Sequence, residues 1–127
     1  MYNAYRTQEY RQQEVMGASP LHLVILTYDA ALQACQQKDL VRSTRAVSLL
    51  RDSLNFDYAD TAMGLFRLYQ WVLDSIRQGD YAEAIKVLQS LRDAWVTVEK
   101  RQTLAAQVPA SPSLAGVGAA VFSPSSY

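Results

Sequence analysis

The chain has little with which to do covalent chemistry. Its 127 residues include one cysteine and one histidine, and twelve basic residues balance twelve acidic ones. Each scarcity excludes something. A lone cysteine, Cys35, excludes an internal disulfide and suits a reducing compartment, so the cytosol is the expected location. A lone histidine, His22, cannot build a zinc site with carboxylates at no recognisable spacing. On one helix His22 and Cys35 would stand about 20 Å apart, too far for a nucleophile and its base. Arg42, Arg45, Arg51, Arg67, Arg77, Lys86 and Arg92 alternate with acids instead of clustering, which argues against nucleic acid. No run approaches the length of an apolar membrane span, and the N-terminus lacks a charged-then-apolar signal pattern. No Gly-rich phosphate loop or Gly-x-Ser-x-Gly elbow is present. No catalytic set, metal or cofactor is therefore expected, and the chain is not expected to be an enzyme.

What is present is helical periodicity. "SPLHLVILTYDAALQAC" opens with Ser19 as N-cap and Pro20 at the first helical position, where its missing amide costs nothing. Leu21, Val24 or Ile25, Tyr28, Leu32 and Cys35 then fall on one stripe, widened by Leu23, Leu26 and Ala30. In the next segment Asp39 is a candidate cap, with Leu40, Ser43, Val47, Leu50 and Leu54 on one face. "NFDYAD" reads as a turn, with Asp57 as a cap for a third helix. That helix carries one stripe through Leu65, Leu68 or Tyr69, Val72 and Ile76, and a second through Ala62, Phe66 and Leu73. Gly79 ends it. Asp80 and Glu83 form an Asp-x-x-Glu capping box for a fourth helix. Its face runs through Tyr81, Ala84 or Ile85, Leu88, Leu91, Trp95 and Val98, and Lys100 and Arg101 suit its C-terminal dipole.

The two ends differ from this middle. Three tyrosines, Tyr2, Tyr5 and Tyr10, fall in the first ten residues. Tyr5, Tyr10 and Val15 are spaced by five, which matches neither a helix face nor a strand face. Residues 1–18 are therefore expected to be an arm or short helix ahead of a bundle at 19–101. Residues 102–127 contain no charge and three of the four prolines. They read as a low-complexity tail, although "LAGVGAAVF" is apolar enough to lie on a bundle.

Sliding the sequence on itself by 41 positions gives seven identities over residues 28–54, including Tyr28 with Tyr69, Asp39 with Asp80 and Arg51 with Arg92. Two similar hairpins of this kind predict an all-α fold, an antiparallel four-helix bundle. About 80 ordered residues give a marginal core of about 3–5 kcal/mol. Small bundles with spare apolar surface are often completed by a partner, so an interaction module is the leading class.

Three stretches, in order, resemble the FliS family of flagellin-specific export chaperones: "NAYRTQEYRQQEVMGASPLHLVILTYDAAL", "LFRLYQWVLDSI" and "LRDAWVTV". The likeness spans roughly residues 3 to 100. It departs from the family pattern at Leu21, His22 and Leu23, where charge is usual, and at Gln70 and Trp71, where Asp and Tyr are usual. The stretch joining Tyr28-Asp29 to "LLRDSL" is also shorter. The resemblance implies a cytosolic chaperone that binds the C-terminal segment of flagellin, prevents premature polymerisation and assists flagellar secretion. It also implies dealings with the export apparatus or a regulator.

On this reading Leu23, Leu26, Tyr28, Asp29, Leu65, Leu68, Tyr69 and Val72 are candidates for a client groove. Each has a plainer alternative. The apolar residues could be core, the tyrosines could pack inside, and Asp29 could be a solvated charge. Tyr5, Tyr10 and Val15 are candidates for an arm lying in the empty groove. The rival from another class is a TPR-like or MIT-like helical adaptor, which "GDYAEAIKVLQSL" alone would suit.

Overall fold

The computed structural model describes residues 19–107 and 121–122. Four helices account for most of them: α1 (Pro20–Gln36), α2 (Leu40–Asp52), α3 (Ala59–Arg77) and α4 (Tyr81–Gln107). A single 3₁₀ turn, Phe56–Tyr58, precedes α3. α1 packs against α2 and α4, and α3 packs against the same two, so α1 and α3 occupy opposite corners of an antiparallel four-helix bundle. The core is the stripe set expected from the period: Leu21, Val24, Ile25, Tyr28 and Leu32 from α1, Val47 and Leu50 from α2, Tyr69, Val72 and Ile76 from α3, and Ala84, Leu88 and Trp95 from α4.

The caps explain where the helices begin. The Ser19 hydroxyl accepts from the His22 amide at 3.2 Å, and the Asp39 carboxylate accepts from the Arg42 amide at 3.0 Å. The expected capping box at α4 is half formed. Asp80 accepts from the Glu83 amide at 3.1 Å, but the Glu83 carboxylate turns outward to accept from Trp71 Nε1 at 3.3 Å. Asp57 does not cap α3. The Asn55 side chain accepts from the Asp57 amide at 3.0 Å and starts the 3₁₀ turn, and α3 follows with no side-chain cap.

The internal repeat appears in the backbone. In the first hairpin turn the Lys38 amide donates to Cys35 and the Asp39 amide to Ala34, at 3.0 and 2.9 Å. In the second, Gly79 donates to Ile76 and Asp80 to Ser75, at 2.9 and 2.8 Å. Every partner is displaced by the same 41 positions. Both turns are the doubly hydrogen-bonded helix ending that needs a left-handed residue after the cap. Gly79 supplies it at φ 78°, and Lys38 supplies it at φ 54° despite its side chain.

The repeat breaks at its end. α2 stops at Asp52, whereas α4 passes the equivalent Asp93 and continues to Gln107. It also passes the boundary expected at Arg101. The segment "QTLAAQ" loses charge but keeps good helix formers, so composition changes before conformation does. The described part of α4 reaches Gln107, two residues ahead of Pro109. Lys100 and Arg101 consequently fall short of the last turn, which carries no basic residue.

Two described residues of the uncharged tail lie against the bundle. Val121 and Phe122 are 1% and 2% exposed. The Asn55 amide donates to the Val121 carbonyl at 2.5 Å, and Leu54 and Phe122 form an isolated antiparallel bridge. The Phe122 ring stands edge-on to Trp95, with centroids 5.4 Å apart.

Candidate functional site

A polar frame links repeat-related positions of the two hairpins. The repeat equivalents Tyr28 and Tyr69 are fully buried and their hydroxyls meet. Trp95 Nε1 donates to the Tyr28 hydroxyl at 3.2 Å. Between α1 and α4, Arg92 Nε donates to Asp29 Oδ1 at 2.5 Å. The repeat image of that pair joins α2 and α3, where Arg51 Nη1 donates to Gln70 Oε1 at 3.0 Å. The hydrogen bond to Asp29, and the charge behind it, hold the Arg92 guanidinium protonated beyond its ordinary range. His22 Nδ1 lies 2.8 Å from Glu99 Oε2, a second link between α1 and α4.

The residues grouped as a client groove separate into different places. Tyr28, Tyr69 and Val72 are fully buried, and Leu65 is nearly so. They face other helices of the bundle, so in this conformation they present nothing to a partner. Asp29 is half-buried in its ion pair with Arg92. Leu23 and Leu26 are half-buried on α1, and by helical period they lie away from the Leu21–Tyr28 core stripe. Leu68 is exposed on α3. Since α1 and α3 are at opposite corners, Leu23, Leu26 and Leu68 do not line one continuous groove. Tyr5, Tyr10 and Val15 lie outside the described residues.

The structure does bring together a surface that the period alone did not single out. Leu68 and Trp71 are 39% and 55% exposed, one turn apart on α3. Gly64, one turn before Leu68, extends the same stripe. A Cβ built on Gly64 meets nothing within 4 Å, so the helix has open space above its backbone there. The Trp71–Glu83 hydrogen bond fixes which side of α3 this is: it borders α4. The facing positions of α4, by period, are Val87, Leu91 and Ala94. Val87 and Leu91 are only partly covered. The available signal was the spacing of Gly64, Leu68 and Trp71, a second apolar stripe displaced from the core stripe of Leu65, Tyr69, Val72 and Ile76.

Among the described residues no group of three or more His, Cys, Asp or Glu could hold a metal ion. No described helix is long and apolar enough to cross a membrane. Cys35 is buried, and burial pushes its thiol up to about 11, away from a reactive thiolate.

A four-helix bundle with a satisfied interior and an apolar stripe along one seam has the make-up of a helical binding module. A family model described as "Flagellar protein FliS" matches residues 1–102, and the chain belongs to that family of flagellar export chaperones. No curated protein and no solved structure is similar enough to count as a match.

Proposed function

We propose that the chain is a cytosolic chaperone that binds the C-terminal segment of flagellin, keeps it from polymerising and helps deliver it for flagellar secretion. The observation that carries this reading is the family match across residues 1–102. The seam between α3 and α4 is the docking surface we assign on α3. Leu68 and Trp71 offer apolar area, and Gly64 lets a partner backbone approach closely. A client that is disordered when free and folds against such a surface can wrap around a small bundle. Leu23 and Leu26 on α1 would then belong to a separate stretch of the client's path. Tyr5, Tyr10 and Val15 remain candidates for an arm that covers this surface when no client is bound.

The adaptor reading, a TPR-like or MIT-like module, calls for polar concave faces. The exposed indole and leucine on α3 favour the chaperone. The test is a calorimetric titration with the C-terminal segment of the host's flagellin. Saturable binding is expected. An absence of heat and of any fluorescence change across the micromolar range would leave the bundle without its client.

A further inference from the structure

The repeat-related residues Leu54 and Trp95 end at the same place, and Phe122 sits between them. Leu54 is its bridge partner and Trp95 its ring partner. Leu54 and Trp95 are 41 positions apart in sequence, and this seat lies at the end where α2 stops and α4 runs on. After the early stop of α2, Leu54 bridges Phe122 and Asn55 stands in extended backbone, while the Trp95 indole meets the same Phe122 ring. That combination is an edge for main-chain pairing next to an apolar socket.

We propose that this seat is a peptide-binding site for an extended, uncharged segment carrying an aliphatic residue followed by an aromatic one. In the structure the chain's own Val121–Phe122 fills it, and the tail competes there with the client. The client's identity rests on the flagellin reading above; the seat itself does not.

Three observations carry the proposal. The recognition is main-chain pairing, from the Asn55 amide to the Val121 carbonyl at 2.5 Å. Pairing of that kind accepts any extended peptide and leaves selection to the side-chain socket. Among the described residues the pairing is one bridge, Leu54 with Phe122. Finally, the gain from burying two side chains is opposed by ordering their segment and closing the loop through residues 108–120. On this proposal, a docking opposed in this way exchanges.

The test uses the full chain carrying Phe122→Ala, with Phe122→Leu as the variant that keeps apolar volume. Far-ultraviolet circular dichroism reads the fold, and the Trp95 indole N–H signal in NMR reads the seat. It is assigned by comparison with Trp71→Phe. A synthetic peptide of residues 117–127, VGAAVFSPSSY, is added in trans. It is expected to move the Trp95 signal of Phe122→Ala toward its position in the intact chain, and to move the signal of the intact chain far less at the same concentrations. The flagellin C-terminal segment is expected to bind Phe122→Ala roughly three- to tenfold more tightly than the intact chain, as when the tail occupies the seat in about 70–90% of molecules. Phe122→Leu should fall between.

A Trp95 signal that ignores the peptide overturns the seat as a binding site. Equal or weaker client binding by Phe122→Ala overturns the competition, as does loss of helical signal in both variants, which would make Phe122 a fixed part of the core. Failure of the client to bind any form overturns the flagellin reading and the competition together. The trans-peptide result still decides the seat.

Discussion

Tyr28 and Tyr69 touch through their hydroxyls at the centre of the bundle, one from each hairpin, with ring centroids 6.3 Å apart. They are equivalent positions of the 41-residue repeat, so the contact joins matching points of the two halves. The Trp95 indole adds a third polar group from α4. Buried polar groups in a small bundle are stable only when each has a partner. Among the described residues no buried side-chain nitrogen or oxygen lacks one.

Removing one hydroxyl should therefore cost more than removing the pair would suggest. Tyr28→Phe takes one partner from the Trp95 indole and one from the Tyr69 hydroxyl, and should cost about 1–3 kcal/mol. Tyr28→Phe with Tyr69→Phe should cost less than the sum of the two single changes. Urea unfolding of the four proteins measures the coupling, and strict additivity would mean that the hydroxyls act separately.

The two hairpin turns offer an internal comparison. Lys38 holds a left-handed conformation that Gly79 holds without strain. Lys38→Gly should raise stability by about 0.5–1 kcal/mol, and Gly79→Ala should lower it by about 1 kcal/mol. The denaturation midpoints of the two variants should move in opposite directions.

The Arg92–Asp29 pair has a neutral image in Arg51–Gln70. Gln70→Asp would complete the symmetry with a second ion pair. Arg51 is partly exposed and already meets Asp52 at 3.0 Å, so the gain should stay within about 1 kcal/mol and shrink with added salt. Thermal melts at low and high ionic strength check both the size and the salt dependence.

Cys35 should be nearly inert to thiol reagents at neutral pH until the protein unfolds. Burial raises its thiol to about 11 from an ordinary 9.0. The neutral form is the one the fold accommodates. Its contribution to stability is thus fully present below about pH 9 and is lost as pH rises toward 11. Labelling rates with a thiol reagent, compared between native and urea-unfolded protein, test the first statement. The Cys35→Ala variant, compared with the intact chain from pH 8 to 11, tests the second.

Much of the fold was legible because helices announce themselves through period and caps. Ser19, Asp39 and Gly79 act where the sequence places them, and the 41-residue offset is reproduced bond for bond in the two turns. The site was less legible. Tyr69 and Leu68 are neighbours in sequence and both suit an apolar stripe, yet one is fully buried and the other exposed. That difference depends on which helices flank α3, and periodicity along one chain does not contain it. Asp29 could pass for a solvated charge because its partner, Arg92, is more than sixty residues away in sequence. The seat of Phe122 was similarly hidden. The apolar tail was visible, but its docking depends on α2 stopping where α4 continues.

The most direct test of the central claim compares the intact chain with Leu68→Asp in a calorimetric titration against the flagellin C-terminal segment. Leu68 is exposed, so the substitution should leave the melting temperature nearly unchanged. The account predicts saturable binding to the intact chain and at least a tenfold loss in Leu68→Asp, about 1.4 kcal/mol or more. No binding to the intact chain, or equal binding to both, would contradict it.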